Sequence, residues 1–481
     1  MEITRRKLLA GAASVSVASG LEPVRAQIRE RFTPEMFGAK GDGRTNDSEA
    51  FRRLAKAVNV NGGGVVELRR TTYIVGDQRP RISAAEHHAF VAGGLLSFYR
   101  CTKPVVLQGN GATLRLAPGL RYGTFDTRGN PTRNKLPFHD LSQIAVPYHL
   151  MVSADECSAS VTIQDLELDG NMKSLQLGGE FGDNGRQIPG SGIGLRDNLG
   201  DEIIRNVHTH HHPLDGLMIN GNPDAALARR LTRRIEGLRA ESNGRLGCSI
   251  TGGRGYAFFN SKFNRTGRAG ILSAPGAGLD IEAEGTKINR DFSFTDCEFV
   301  DNAGCGMVAD SGDSEGATFT RCKFVGTTAW SAWPSKPRFR FYKSTFIGAL
   351  VRLFGDKDRE RATQFHDCIF LDDPKLSPTG QVALQGSPHG IICDVSQGEN
   401  SLFRRCHFKL THNGVLPWSW RAIYEDCRME QKASTQGFPK GRYLGTSTIV
   451  GNVDMYNTKV EGTLILNGVT YRKQLFGGEA W

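Results

Sequence analysis

The sequence predicts an all-β chain wound as a parallel solenoid. Three observations predict it: a recurring aromatic–small–aromatic hexapeptide, a second column in which a glycine opens a short apolar strand, and no helical periodicity between the two. The hexapeptides are FTDCEF (294–299), FTRCKF (319–324), FHDCIF (365–370), FRRCHF (403–408) and YEDCRM (424–429), and FYKSTF (341–346) and FFNSKF (258–263) carry serine in the cysteine slot. A fixed motif recurring at 21 to 38 residues means stacked rungs joined by loops of unequal length. Alternation around each cysteine predicts a strand, with Cys297, Cys322, Cys368, Cys406 and Cys427 forming an interior column of small, polarisable side chains. Serine fills the slot equally well, which points to packing. The ten cysteines are therefore expected to be mostly free and buried.

The second column runs through DGLMING (215–221), LGCSITGG (246–253), AGILSAP (269–275), CGMVADSG (305–312) and HGIICDVS (389–396), after an earlier coil in VTIQDLELDGN (161–171) and SGIGLRDN (191–198). No single coil buries its apolar face, and stacking makes one continuous core. The open end of such a stack templates aggregation unless it is covered. TNDSEAFRRLAKAVN (45–59) predicts the cover, a helix with Asp47 at its N-cap and Ala50, Phe51, Leu54, Ala55 and Val58 on its buried face. GGGVVELRRTTYIVG (62–76) reads as the first strands.

Ahead of this lies ITRRKLLAGAASVSVASGLEPVRAQ (3–27), with Arg5 and Arg6 before a short apolar stretch and a Val24-Arg25-Ala26 cleavage site. It resembles a twin-arginine export signal, so residues 1–26 are expected to be removed. Residues 27–481 are then expected to form one domain that is periplasmic or secreted. The apolar run is too short and too rich in small residues to remain as a membrane span. Of 481 residues, 39% are hydrophobic and 23% charged, enough to bury a large core, and the net charge of +10 suits an anionic polymer. No aromatic-rich RNA signature, zinc-finger spacing or long basic run accompanies that charge, so nucleic acid is not expected as a partner.

MFGAKGDGRTNDSEAF (36–51) followed by GGGVVELRRTTYIV (62–75) resembles the N-terminal signature of the pectate-lyase superfamily. Within it, the likeness is to the branch holding rhamnogalacturonase, family-28-related hydrolases, epimerases and phage depolymerases. The resemblance spans roughly residues 32–470. It implies a right-handed parallel β-helix with an N-terminal helical cap over about 32–60, and hydrolase, lyase, epimerase or adhesin behaviour toward polysaccharides. LDDP (371–374) and PHG (388–390) occur without the Asn-Thr-Asp of polygalacturonases and at the wrong spacing, and the epimerase Asp-Pro-His is absent. GLDIEAEG (278–285) is similar to a Gly-Ile-Asp-Ile-Glu segment of bacterial β-helix proteins that carries no assigned role.

The site is therefore argued from chemistry. With Gly270 opening the second strand of its coil and residues 280–284 forming the third, Asp280, Glu282 and Glu284 face outward ~7 Å apart. Asp310, four residues after Gly306 on the next coil, converges on them. Asp280, Glu282 and Asp310 form the expected catalytic group, since crowding keeps one carboxyl protonated while another activates water or attacks carbon. Arg254, Arg265 and Arg268, one coil earlier, are expected to bind substrate, or to supply the base of a β-elimination in which calcium neutralises a uronate. Trp330 and Trp333, in TTAWSAWPSKPRF (327–339), and Trp418 and Trp420, in LPWSW (416–420), are read as loop residues, and the first two are expected to stack on sugar rings. HTHHHPLDG (208–216) puts His208 and His210 on one face. It is read as a turn, with metal ligation or acid–base work as lesser alternatives and no metal set assigned. The expectation is an enzyme that cleaves an acidic polysaccharide by hydrolysis. Elimination comes second, and a non-catalytic envelope protein third.

Overall fold

The computed structural model describes residues 30–135, 141–180, 188–386 and 390–477; the export-signal reading of residues 1–26 lies outside them, as do Pro388 and His389. Successive coils contribute three short strands each. One coil runs Ala277–Ile281, Asn289–Thr295 and Glu298–Val300; the next runs Met307–Ala309, Ser314–Thr320 and Lys323–Val325. Each strand pairs in parallel with its equivalent one coil away, as in Phe294 with Phe319 and Phe299 with Phe324. The chain is thus a parallel β-helix.

The aromatic slots form two continuous stacks. Phe258, Phe294, Phe319, Phe341, Phe365, Phe403, Tyr424 and Tyr443 lie 4.5 to 5.3 Å apart between ring centroids. Phe263, Phe299, Phe324, Phe346, Phe370 and Phe408 form the second, at 4.3 to 5.3 Å. The strand spacing of about 4.8 Å sets this distance, and each buried ring contributes roughly 1.5–3 kcal/mol. Edge-to-face contacts such as Phe319 on Phe324 join the stacks.

The cysteine slot differs from the expectation. It lies at a corner between two strands, because the residue before each cysteine is left-handed: Asp296, Arg321, Asp367, Arg405 and Asp426 have φ of 51° to 56°. That residue turns the chain and swings the thiol inward. Each thiol then meets the carbonyl of the aromatic residue one coil back, as in Cys322 Sγ to Phe294 O at 3.5 Å and Cys427 Sγ to Phe403 O at 3.2 Å. Ser344 makes the same contact with Phe319 O at 3.4 Å, which explains the exchange of serine for cysteine. All ten cysteines are free and buried.

The cap helix α1 spans Ser48–Asn61 and buries Ala50, Phe51, Leu54, Ala55 and Val58. Asp47 sits at its N-cap, but its carboxylate accepts the N–H groups of Lys40 and Gly41 at 2.8 and 3.0 Å and makes no bond into the helix. At the other end, Thr458–Leu466 and Val469–Phe476 close the stack as an antiparallel hairpin. Among the described residues no helix is long and apolar enough to cross a membrane.

Candidate active site

The face that matters is built from Ser191–Arg196, Asp215–Asn220, Leu246–Arg254, Ala277–Ile281, Met307–Ala309 and Ala332–Pro334. In register, Ile193, Leu217, Cys248, Leu279, Met307 and Ala332 point into the core. The glycine before each of the middle four is Gly216, Gly247, Gly278 and Gly306. The column glycine of the acidic coil is therefore Gly278, and Gly270 is not in a strand. Residues 266–276 form a loop in which Ile271 is buried and Leu272 half exposed. A Cβ on Gly278 would stand 2.6 Å from Phe263 O and 2.7 Å from Gly306 O, so the position admits no side chain.

Outward positions form the floor of a cleft of about 570 Å³. Ser249, Asp280, Val308 and Trp333 are successive residues of one outward column. Continuing that register by two residues sets Glu282 beside Asp310, and Asp280, Glu282, Asp310, Trp330 and Trp333 all line the cleft. The strand ends at Ile281, so Glu282 leaves it and Glu284 is exposed outside the cleft lining, unlike the three-acid row expected.

The three acids occupy different environments. Asp280 is only 7% exposed, beside a small apolar cluster of Leu246, Ala277, Cys305 and Val308 with Trp330 and Trp333 packed on it, and its Oδ1 has no hydrogen-bond partner among the described residues. Burial, reinforced by Glu282 and Asp310, pushes its carboxyl up to about 8, against the opposing pull of Arg245. Glu282 is half-buried and accepts a hydrogen bond from Ser311 Oγ, and Asp310 is exposed. Trp330 and Trp333 meet edge to face at 5.3 Å, and Trp333 Nε1 is buried without an acceptor among the described residues. Arg352, exposed, lies over the Trp333 ring at 5.1 Å. Trp333 belongs to the strand Ala332–Pro334, and Trp418 and Trp420 to the strand Trp418–Glu425, so only Trp330 of the four is a loop residue.

The three arginines do not line the cleft. Arg254 is tied to Asp291 at 2.6 Å and to Pro223 O, and Arg265 to Asp301 at 3.0 Å. Arg268 stands behind the wall, donating to Thr327 Oγ1 and Thr328 Oγ1 at 2.8 and 2.7 Å, and Thr328 lines the cleft. They lie in the coil before the acids and the loop that follows it, as expected, but their guanidinium groups are held by partners outside the cleft lining. The cation the sequence reading missed is Arg245, whose buried guanidinium grips both oxygens of buried Asp215 and pulls against the upward shift of Asp280. Its signal was a charged residue set against the column glycine in two successive coils, Asp215–Gly216 and Arg245–Leu246–Gly247. The LDDP acid Asp372 is buried and accepts the N–H groups of Thr411, His412 and Gly414, a structural role.

A protonated carboxyl in an apolar pocket beside a hydrogen-bonded carboxylate and a solvent-facing one is a general acid–base arrangement. Asp280 and Glu282 face the same cleft, where a water or a sugar oxygen can reach both.

Residues 152–346 match the family model of the right handed beta helix region, which supplies the hand of the coil. Together with the stacked parallel coils, it bears out the right-handed parallel β-helix that the resemblance implied. A stretch of 67 residues is 43% identical to the capsule KN3-specific depolymerase 1 of Klebsiella phage KN3-1, covering 13% of this chain and 8% of that protein's length. Among solved structures, the mannuronan C-5 epimerase AlgE6 A-module of Azotobacter vinelandii is similar at 16% identity and a TM-score of 0.45, over 90% of this chain and 99% of that one. The tailspike gp49 of the Acinetobacter baumannii bacteriophage Fri1, a capsular polysaccharide depolymerase, is similar at 11% identity and a TM-score of 0.41, over 89% and 63%.

Proposed function

We propose that this right-handed parallel β-helix protein hydrolyses glycosidic bonds of an acidic polysaccharide. The carrying observation is the cleft that holds a buried, proton-retaining Asp280 beside Glu282 and Asp310 under two indoles. Asp280 gives its proton to the leaving oxygen, and Glu282, oriented by Ser311, activates water, with Asp310 beside it on the next coil. Trp330 and Trp333 offer ring faces to a sugar. The local likeness to a capsule depolymerase supports a polysaccharide as substrate, and the net charge of +10, with Arg352 over the ring of the cleft residue Trp333, supports an anionic one. Elimination requires a basic residue at the sugar C5, and Arg254, Arg265 and Arg268 are all engaged elsewhere, which weighs for hydrolysis. Export through the twin-arginine route, with action outside the cytoplasm, belongs to the same proposal.

The test is a panel of bacterial and plant acidic polysaccharides, followed by reducing-end release and by ultraviolet absorbance of unsaturated uronates. Hydrolysis gives reducing ends without that absorbance. Asp280→Asn and Glu282→Gln are expected to lose at least about a hundredfold in rate while still binding polymer. Full activity in both variants overturns the site, unsaturated products replace hydrolysis with elimination, and binding without any cleavage leaves a non-catalytic protein.

A further inference from the structure

The histidine run is not a simple turn. His208 and His210 occupy alternate positions of the strand Glu202–His210, so their imidazoles emerge on one face; the turn is made by the next residues, His211 having a φ of 55°. Parallel register sets Glu167 opposite His208 and Asp169 opposite His210 on the preceding coil, and Glu241 opposite His210 on the following one. The two rings lie 4.1 Å apart, and His210 Nε2 approaches Glu167 Oε1 to 3.0 Å. One ring nitrogen from each histidine and one Glu167 oxygen all lie within 4.8 Å of one another.

We propose that Glu167, His208 and His210 bind one zinc-type divalent ion, tying two adjacent coils together on a face separate from the acid cleft. The donor set is two imidazole nitrogens and a carboxylate oxygen, which suits zinc or cobalt and not calcium or magnesium. Two ligands of a tetrahedral zinc, each about 2.1 Å from the ion, stand ~3.4 Å apart, close to the spacing already present between Glu167 and His210. Charge balance singles out the same carboxylate. Asp169 is neutralised by Arg115 at 2.8 Å and Glu241 by Arg239 at 2.7 Å, while Glu167 has no guanidinium or ammonium partner among the described residues. Thr113 Oγ1 donates to Glu167 Oε2 at 2.8 Å, which orients the carboxylate and leaves Oε1 toward the histidines. Behind the site, His210 is 7% exposed with its Nδ1 set against His211, so its ring is held in place by packing. Glu167 and His208 line a second cleft of about 570 Å³, which gives an ion, and an exchangeable ligand on it, a route from solvent.

The test uses the full chain, untagged and stripped with chelator, titrated with zinc chloride and, separately, with cobalt(II) followed by visible absorption. One ion per chain is expected, with a cobalt band of tetrahedral intensity, no competition from calcium and a raised melting temperature. His208→Asn and Glu167→Gln should each weaken zinc at least about tenfold, with circular dichroism unchanged. Asp165→Asn, in the same cleft, should leave the affinity as it was. No binding by the parent protein, or equal affinity in both ligand variants, overturns the proposal. Loss in His211→Asn with retention in His208→Asn also overturns it, because the ion would then sit on Asp169, His210 and His211.

Discussion

Replacing Asp280 by asparagine removes a proton-binding group and keeps its size, which isolates the electrostatics of the cleft in a stability measurement that needs no substrate. Asp280 ionises at about 8 in the folded protein against an ordinary 3.8. A folded-state value raised in this way means that the native state holds one more proton than the unfolded chain between those two limits. Stability linked to Asp280 is therefore full below pH 4 and is lost as pH rises toward 8. The slope is about 1.4 kcal/mol per pH unit, so the parent should lose roughly 3 kcal/mol relative to Asp280→Asn between pH 5 and pH 7, and on the order of 5 kcal/mol over the whole window. Urea unfolding of both proteins at several pH values, monitored by circular dichroism, reads this as a difference that widens steadily with pH. Parallel profiles from pH 5 to 8 would refute the claim that Asp280 is buried and protonated, and with it the assignment of the general acid.

Three other perturbations follow from the same coordinates. Arg245→Met strands buried Asp215 without its counter-ion and should cost about 3–5 kcal/mol in urea unfolding; adding Asp215→Asn should recover much of the loss. Phe319→Ala removes a ring stacked between Phe294 and Phe341 and edge-on to Phe324, and should cost about 3–5 kcal/mol, whereas Cys322→Ser, copying Ser344, should cost under about 1.5 kcal/mol. Gly278→Ala should fail to give folded protein, while Gly285→Ala, with φ of 60° and nothing within 4 Å, should lose only about 1–2 kcal/mol of backbone strain; soluble yield and melting temperature separate the two.

The stack was legible in the sequence because the constraint is local and repeats: a ring, three residues to a small side chain, two more to a ring. The cap was legible for the same reason, since an amphipathic helix records its buried face in its own periodicity. The left-handed corner was not, because Asp, Arg and Lys before the cysteine slot look like ordinary solvent-facing strand residues. Asp280, Glu282 and Asp310 were brought together correctly even though Gly270 was mistaken for Gly278. In AGILSAPGAGLDI Gly270 and Gly278 each precede a branched apolar residue, and it is the close approach of neighbouring carbonyls that marks Gly278 as the strand position. The arginines were placed on the right coil, but nothing in the sequence shows that Asp291, Asp301 and Thr327 take up their guanidinium groups. Arg245 and Asp215 escaped notice because a buried ion pair 30 residues apart leaves no periodic trace.

Rings that repeat in register from rung to rung make neighbouring turns of the superhelix near-equivalent units of packing, whatever emerges between them. The segment that carries Thr328 and Trp330 packs on a small cluster of its own rather than in the main core, so the cleft wall is free to vary there at little expense to stability. Duplication of one whole turn between Gly278 and Gly306 would have the opposite signature. Every ring would stay stacked, yet Asp310 would retreat from Glu282 by a further 4.8 Å or so, and the acid and its partners would be parted in a protein that still folds.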